Sequence, residues 1–247
     1  MQTKKYLSAE VECLKGLALT YSEFINNVCT RQINSINDNY YASSNLQDWN
    51  EDIGYLLYDG TLEDLDLSET KYITKDDFES MWKKSIDGVN LTEFIKYEQG
   101  DATNPLSERT LILHIVNNVG KWGKGFVLSL SKKYPKAKEN YVNWFNKGTD
   151  FELGNVNFFS ADENVVIANM LAQNGVKRNA NDLSQKLDYK ALENCLNQVA
   201  DYALLHRLNI QAPKFGAGLG GGDWDAIVKI IEKTLSYKKI KCTILTI

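Results

Sequence analysis

The sequence predicts an α/β protein in two parts, a three-layer α/β/α domain with a mixed sheet over residues 93–247 and a mainly helical segment over residues 1–92 before it. Three observations carry this prediction. From Phe94 onward, short β-branched and apolar runs alternate with helical periodicity, the pattern of a sheet covered on both faces. Two glycine-rich stretches each lie between such a strand and such a helix. Before Phe94 the apolar residues recur at helical spacing, and the charge balance differs. Residues 1–92 hold 16 acidic and 8 basic side chains, and the remainder hold 16 acidic and 20 basic.

The elements follow in order. Ser8 is a plausible N-cap, Glu10 and Glu12 suit a first helical turn, and Val11, Leu14, Ala18, Tyr21, Ile25 and Val28 keep helical spacing, which predicts an amphipathic helix over about residues 9–36. Residues 39–50 are polar and aromatic, and residues 56–66 are acidic with alternating leucines. A second, capped helix is predicted to start near Thr74, Lys75, Asp76 and Asp77. No chemistry is visible in this segment. Beyond it, residues 94–99, 111–116, 156–160, 165–171, 210–212 and 242–247 read as strands, with helices near 125–133, 137–146, 189–205 and 224–235.

Composition narrows the function classes. With 43% hydrophobic residues, 24% charged residues and three prolines, the chain is of ordinary globular type and not fibrous or disordered. The acidic front argues against a nucleic-acid footprint there, whereas the mildly basic remainder suits a small anion. Cys13, Cys29, Cys195 and Cys242 contain no Cys-x-x-Cys pair, and with only His114 and His206 beside them no zinc-ligand spacing exists. Reduced, buried thiols are expected. Lys4 and Lys5 are not followed by an apolar stretch of signal-peptide type, and no apolar run approaches membrane-spanning length, so a cytoplasmic protein is expected.

The run Gly216, Ala217, Gly218, Leu219, Gly220, Gly221, Gly222 follows the strand that leads into Pro213, Lys214 and Phe215, and precedes a helix beginning around Asp223 and Trp224. Glycines leave room for phosphate oxygens beside backbone N–H groups, and the start of the following helix adds positive potential. A diphosphate is the natural ligand. A flexible linker is the alternative, but Ile227, Ile230 and Ile231 make an amphipathic helix behind the run, and a free linker would not be framed in this way. The run lacks the Gly-Lys-Ser/Thr ending of a Walker loop and lies near the end of the chain instead of after a first strand, unlike a dinucleotide-binding turn. A second glycine cluster, from Asn117 and Asn118 through Gly120, Trp122, Gly123 and Lys124 to Gly125, also separates a strand from a helix. Two such loops would clamp one ligand from both sides.

The ordered set of Gly100-Asp101-Ala102-Thr103, His114-x-x-Asn117-x-x-Gly120-x-Trp122-Gly123-x-Gly125, Ala168-Asn169-Met170-Leu171-Ala172-Gln173 and Gly216-Ala217-Gly218-Leu219 with Asp223-Trp224 resembles the macrodomain family across residues 93–247. It is similar to the branch of ADP-ribose 1''-phosphate phosphatases and ADP-ribosyl hydrolases. The resemblance implies a three-layer macrodomain that binds ADP-ribose or a derivative, with ADP-ribosylated protein or nucleic acid as further partners and no metal or cofactor.

The same resemblance implies roles residue by residue. Asp101, with Ala102 beside it, would hold the adenine amino group. Asn117 would reach the distal ribose, and Gly123, Lys124 and Gly125 would line that ribose and the second phosphate, with Trp122 shaping the cleft. Phe215, Gly216, Ala217, Gly218, Leu219, Gly220 and Gly221 would cradle the diphosphate. Candidate catalytic groups are Asn117, His114 and Asp223. Each also has a structural alternative: Asp101 as a strand-end turn, Asn117 as a turn residue, His114 as a hydrogen-bonded core group and Asp223 as a helix N-cap. Relatives that cleave glutamate-linked ADP-ribose have a lysine where Asn169 stands and an aspartate where Gly220 stands. The other hydrolase branch has an aspartate in the stretch occupied here by Phe126, Val127 and Leu128. The alternative function is therefore a non-catalytic module that recognises or sequesters ADP-ribose or a related nucleotide.

Overall fold

A computed structural model describes residues 3–177, 182 and 184–247. The chain divides into two compact units, one of residues 1–90 with 238–240, the other of residues 91–237 with 241–247.

The first unit corrects the sequence expectation. The predicted helix over residues 9–36 is instead three long strands, β1 (Lys4–Cys13), β2 (Gly16–Ile25) and β3 (Val28–Ile36), followed by β4 (Asn39–Ser43), β5 (Trp49–Asn50), β6 (Gly54–Tyr55) and β7 (Lys71–Tyr72). Turn chemistry overrode the helical spacing. Asn26 and Asn27 have φ of 46° and 71°, and Asn37 and Asp38 have φ of 48° and 62°. Each pair thus supplies two successive left-handed residues, which suits the tight turn that matches strand twist. Ile25 pairs with Val28 across the first turn and Ile36 with Asn39 across the second. The resulting antiparallel sheet has the order β4-β3-β2-β1-β7.

The helix predicted near Thr74 is present as α1 (Lys75–Ser85), and the Thr74 side chain accepts from Asp77 N. Its Phe78 and Trp82 are fully buried, and the guanidinium carbon of Arg31 lies 4.8 Å from each ring centroid. Arg31 donates to both Glu23 carboxylate oxygens at 2.9 Å and to Glu79 Oε1 at 2.5 Å. Burial alone would raise the Glu23 carboxyl, but the Arg31 charge and its hydrogen bonds prevail and hold it at about 2.

The second unit matches the predicted element order: β8 (Ile95–Gln99), β9 (Thr110–Asn117), α2 (Phe126–Lys133), α3 (Lys136–Lys147), β10 (Val156–Asp162), β11 (Val165–Gln173), α4 (Tyr189–His206), β12 (Asn209–Pro213), α5 (Trp224–Thr234) and β13 (Cys242–Thr246). The mixed sheet runs β10-β11-β9-β12-β13-β8, with β10 antiparallel to β11 and every other pair parallel. Ile112 and Ile167 meet Leu130 of α2 and Ala137 of α3 on one face. On the other face α4 packs on β11, and Ile115 and the α5 residue Ile227 both close on Gly216. All parallel strands therefore end at one edge of the sheet, where open α/β folds bind ligands.

Candidate functional site

Because β9 and β12 are neighbours, the two glycine loops emerge side by side. A Cβ at Gly125 would lie 3.6 Å from the Leu219 side chain, so the loops meet. Gly216 takes φ of 78°, and any side chain there would press on Ile115, Leu187 and Ile227 at 3.1–3.2 Å, so only glycine both adopts the angle and fits. The loop then folds back on itself, with Gly221 N donating to Gly218 O and Gly222 N to Gly216 O, both at 3.0 Å. Among the described residues, the N–H groups of Ala217, Gly218, Leu219 and Gly220 have no protein acceptor. Successive backbone donors of this kind are the groups that anion-binding loops use.

The first loop is built from Asn117. Its Oδ1 accepts from Val119 N and Lys121 N at 3.1 Å, its Nδ2 donates to Lys121 O at 2.5 Å, and Tyr141 Oη donates to its carbonyl at 2.6 Å. Both ends of the amide thus hold the turn. Trp122 is half-buried beside His114 and Tyr141, and its Nε1 donates to Ser131 at 2.6 Å. Gly123, Lys124 and Gly125 are exposed. Helix α2 starts at Phe126 with Gly125 as its cap at φ 80° and no side chain capping it, leaving its first N–H groups available.

Asp101 follows β8 at the same edge and accepts from Thr103 N at 2.8 Å, while Ala102 is buried with its carbonyl taken by Gln211 Nε2. Phe215 is buried edge-on to Trp224 at 6.0 Å. Asp223 caps α5, accepting from Asp225 N at 3.0 Å. His114 lies in the core, with Nε2 2.6 Å from Asn169 Oδ1. Because that Asn169 oxygen can only accept, the ring is the Nε2–H tautomer. Burial pushes its pKa down to about 4, against a smaller opposing effect of the Asn169 bond, and Nδ1 has no partner among the described residues. Asn169 in turn donates to Asn157 at 3.1 Å and Asn140 at 3.4 Å. The structure thus gathers Asp101, the Trp122 to Gly125 stretch and Gly216 to Gly221 along one edge, and sets His114 beneath it. Gly220 has no room for a side chain, since a Cβ would lie 2.7 Å from the Gly216 carbonyl oxygen.

Sequence reasoning missed a third wall. After β11, Gly175 N donates to Asn118 Oδ1 at 2.7 Å, and farther along Lys186 N and Leu187 N both donate to the Gly220 carbonyl, at 2.9 and 3.0 Å. Gly175 is thus tied to the first glycine loop and Lys186 and Leu187 to the second, and the Lys177 ammonium would be 3.4 Å from a Cβ on Gly221. The Asn174-Gly175 turn was the available signal. Among the described residues no cluster of His, Cys, Asp or Glu is placed to hold a metal, and no helix is long and apolar enough to cross a membrane.

These features define an α/β/α domain with two glycine loops side by side at the carboxyl edge of its sheet, one of them carrying a row of free backbone donors. A macrodomain protein from Streptomyces coelicolor of solved structure is 33% identical, with a TM-score of 0.54, over 62% of this chain and 99% of that one. The chain belongs to the macrodomain family. Among curated proteins, the ADP-ribose 1''-phosphate phosphatase of Candida albicans is 28% identical over 146 residues, 53% of this chain and 87% of that protein. The chain spans 15% of the Danio rerio chromodomain-helicase-DNA-binding protein 1-like, which it matches at 28% identity over 59% of its own length. The structure of Thermosipho africanus DarTG in complex with ADP-ribose shares the fold at 13% identity and a TM-score of 0.52, over 92% of this chain and 73% of that one. No protein-family model matches the chain.

Proposed function

We propose that the second unit binds ADP-ribose and acts on ADP-ribose 1''-phosphate or on ADP-ribosylated protein or nucleic acid. The observation that carries this is the row of free N–H groups from Ala217 to Gly220, a receptor for phosphate oxygens beside the uncapped start of α2. Asp101 stands at the end of β8, two strand spacings from β12, roughly 10 Å. That span suits adenine at one end, the diphosphate on the Gly216 loop and the distal ribose against Gly123 to Gly125. The names of the Candida phosphatase and of the Thermosipho complex support the same ligand. Hydrolysis would draw on positioning and backbone electrostatics, with water attacking phosphorus of the 1''-phosphate as the P–O1'' bond breaks to give phosphate and ADP-ribose, or attacking C1'' as its bond to the modified group breaks and that group leaves with the proton.

A binding-only module is the second reading, favoured by one specific set of contacts: Asn117 holds its own loop, Asp223 caps α5, and His114 is buried and neutral. Calorimetry of the full chain with ADP-ribose, beside assays of phosphate release from ADP-ribose 1''-phosphate and of ADP-ribose release from modified protein, separates the two. Binding with product supports the hydrolase. Binding without product leaves the sequestering module, and no binding sinks both.

A further inference from the structure

The first unit carries a cleft that the macrodomain site does not explain. Its volume is about 480 Å³, within the range of small-ligand and peptide side-chain sites. Val11, Phe24 and Leu65 give it apolar walls, and the acidic residues Asp66 and Glu69 line it from the turn before β7, while Glu10 borders it with its side chain alternating to the other face of the sheet. No lysine or arginine lines it. Among the described residues Glu10 and Glu69 form no ion pair, and Val11 remains 46% exposed.

The cleft lies beside an open sheet edge. Strand β7 covers β1 only at Leu7 and Ser8, and the chain preceding β7, from Leu65 to Thr70, contributes to the wall of the cleft. Ile73 N donates to Tyr6 O, so the even-numbered residues of β1 turn their backbone groups outward. By the same alternation Glu10 and Glu12 present N–H and C=O groups along the edge, and these have no backbone partner there among the described residues. An edge of this kind is a template for an added strand. Its carboxylates select the occupant. A second copy pairing through the same edge would set glutamates against glutamates, which is destabilising, whereas a strand carrying arginine or lysine meets Asp66 and Glu69 beside the apolar wall on one face and Glu10 and Glu12 on the other.

We propose that the edge of β1 takes an extended basic peptide segment as an added strand, pairing with Glu10 and Glu12 and sending a basic side chain into the cleft. This surface is independent of the ADP-ribose reading and stands or falls without it.

The test uses the full chain labelled with ¹⁵N and the probe acetyl-VRVRV-amide, with acetyl-VEVEV-amide as the charge-reversed control. The expected result is saturable shifts at the amides of Glu10, Glu12 and residues 66–70, slowed hydrogen exchange at Glu10 and Glu12, and unmoved Ala217 to Gly220 amides. Exchanging Asp66 and Glu69 for lysine together lowers affinity for the basic probe about tenfold or more, and Glu69→Gln, a change on an exposed turn, lowers it by a smaller factor in a chain that remains folded. Equal binding of the acidic probe overturns the proposal. So does basic-probe binding with no added protection at Glu10 and Glu12, which would mark a cation pocket and not a strand site. Self-association that protects the same amides would assign the edge to a second copy and overturn it as well.

Discussion

The two units bury polar groups in opposite ways. In the first, a full charge is brought inside and matched: Arg31 grips Glu23 through two hydrogen bonds, reaches Glu79 and lies 4.8 Å from the ring centroids of both Phe78 and Trp82. In the second, a titratable ring is brought inside and kept neutral, His114 resting on the amide chain of Asn169, Asn157 and Asn140. A buried ion pair makes a unit sensitive to the loss of either partner, and a buried neutral imidazole makes a unit sensitive to acid. The functional groups differ in the same sense. The second unit leaves free donors in a curled loop, and the first leaves carboxylates along an open strand edge.

Breaking the ion pair tests the contrast most severely. Arg31→Ala leaves the buried Glu23 without its hydrogen-bonded partner, with Lys4 at 3.8 Å still beside it, and should destabilise the first unit by about 3 kcal/mol in urea denaturation. ADP-ribose affinity in the second unit should stay within about twofold. Loss of both together would show that the units do not behave separately.

Acid sharpens the same contrast. His114 has its folded pKa lowered to about 4 from 6.5, so the unfolded chain takes up the proton first. Its contribution is complete above pH 6.5 and is lost as the pH falls toward 4, about 3 kcal/mol in all. Glu23, lowered to about 2 from 4.5, contributes fully above pH 4.5 and loses that contribution only below it. Thermal melts from pH 7 to 3 should show the second unit weakening first, and His114→Gln should flatten the upper window.

Smaller effects belong to the ligand site. Gly220→Asp places a Cβ against the Gly216 carbonyl and should weaken ADP-ribose by about 2 kcal/mol, roughly thirtyfold, by calorimetry. Unchanged affinity would mean that the cradle tolerates a different loop path. Asp101→Ala should cost about 1 kcal/mol of affinity, since Asp101 is only half-buried and already engaged by Thr103. No change there would remove Asp101 from the adenine end.

The second unit was legible because its parallel strands are short apolar runs and its loops announce themselves by glycine. Leu111 to Val116 and Val165 to Leu171 are near-continuous apolar stretches, and both strands form where expected, each extended by one or two residues at its ends. The first unit was misread because Val11, Leu14, Ala18, Tyr21, Ile25 and Val28 fit a 3.6-residue period by coincidence, although Leu14 lies in one turn and Ile25 and Val28 flank the next. The decisive signal was local. Asn26-Asn27 and Asn37-Asp38 are pairs that accept left-handed angles, and they outweigh periodicity. The position of the glycine loops and of Asp101 at strand ends on one sheet edge was legible from the sequence. The contribution of Gly175, Lys186 and Leu187 was not, because it acts through backbone hydrogen bonds to Asn118 and Gly220 that no side-chain pattern announces.

The free backbone donors of the Gly216 to Gly222 loop are proposed to receive a diphosphate. Titration of ¹⁵N-labelled full chain with ADP-ribose, with phosphate-free adenosine as control, puts this to the test. Saturable downfield shifts are expected at the amides of Ala217, Gly218, Leu219 and Gly220 with ADP-ribose and none with adenosine. ADP-ribose binding that leaves those four amides unmoved would rule out the loop as the diphosphate site.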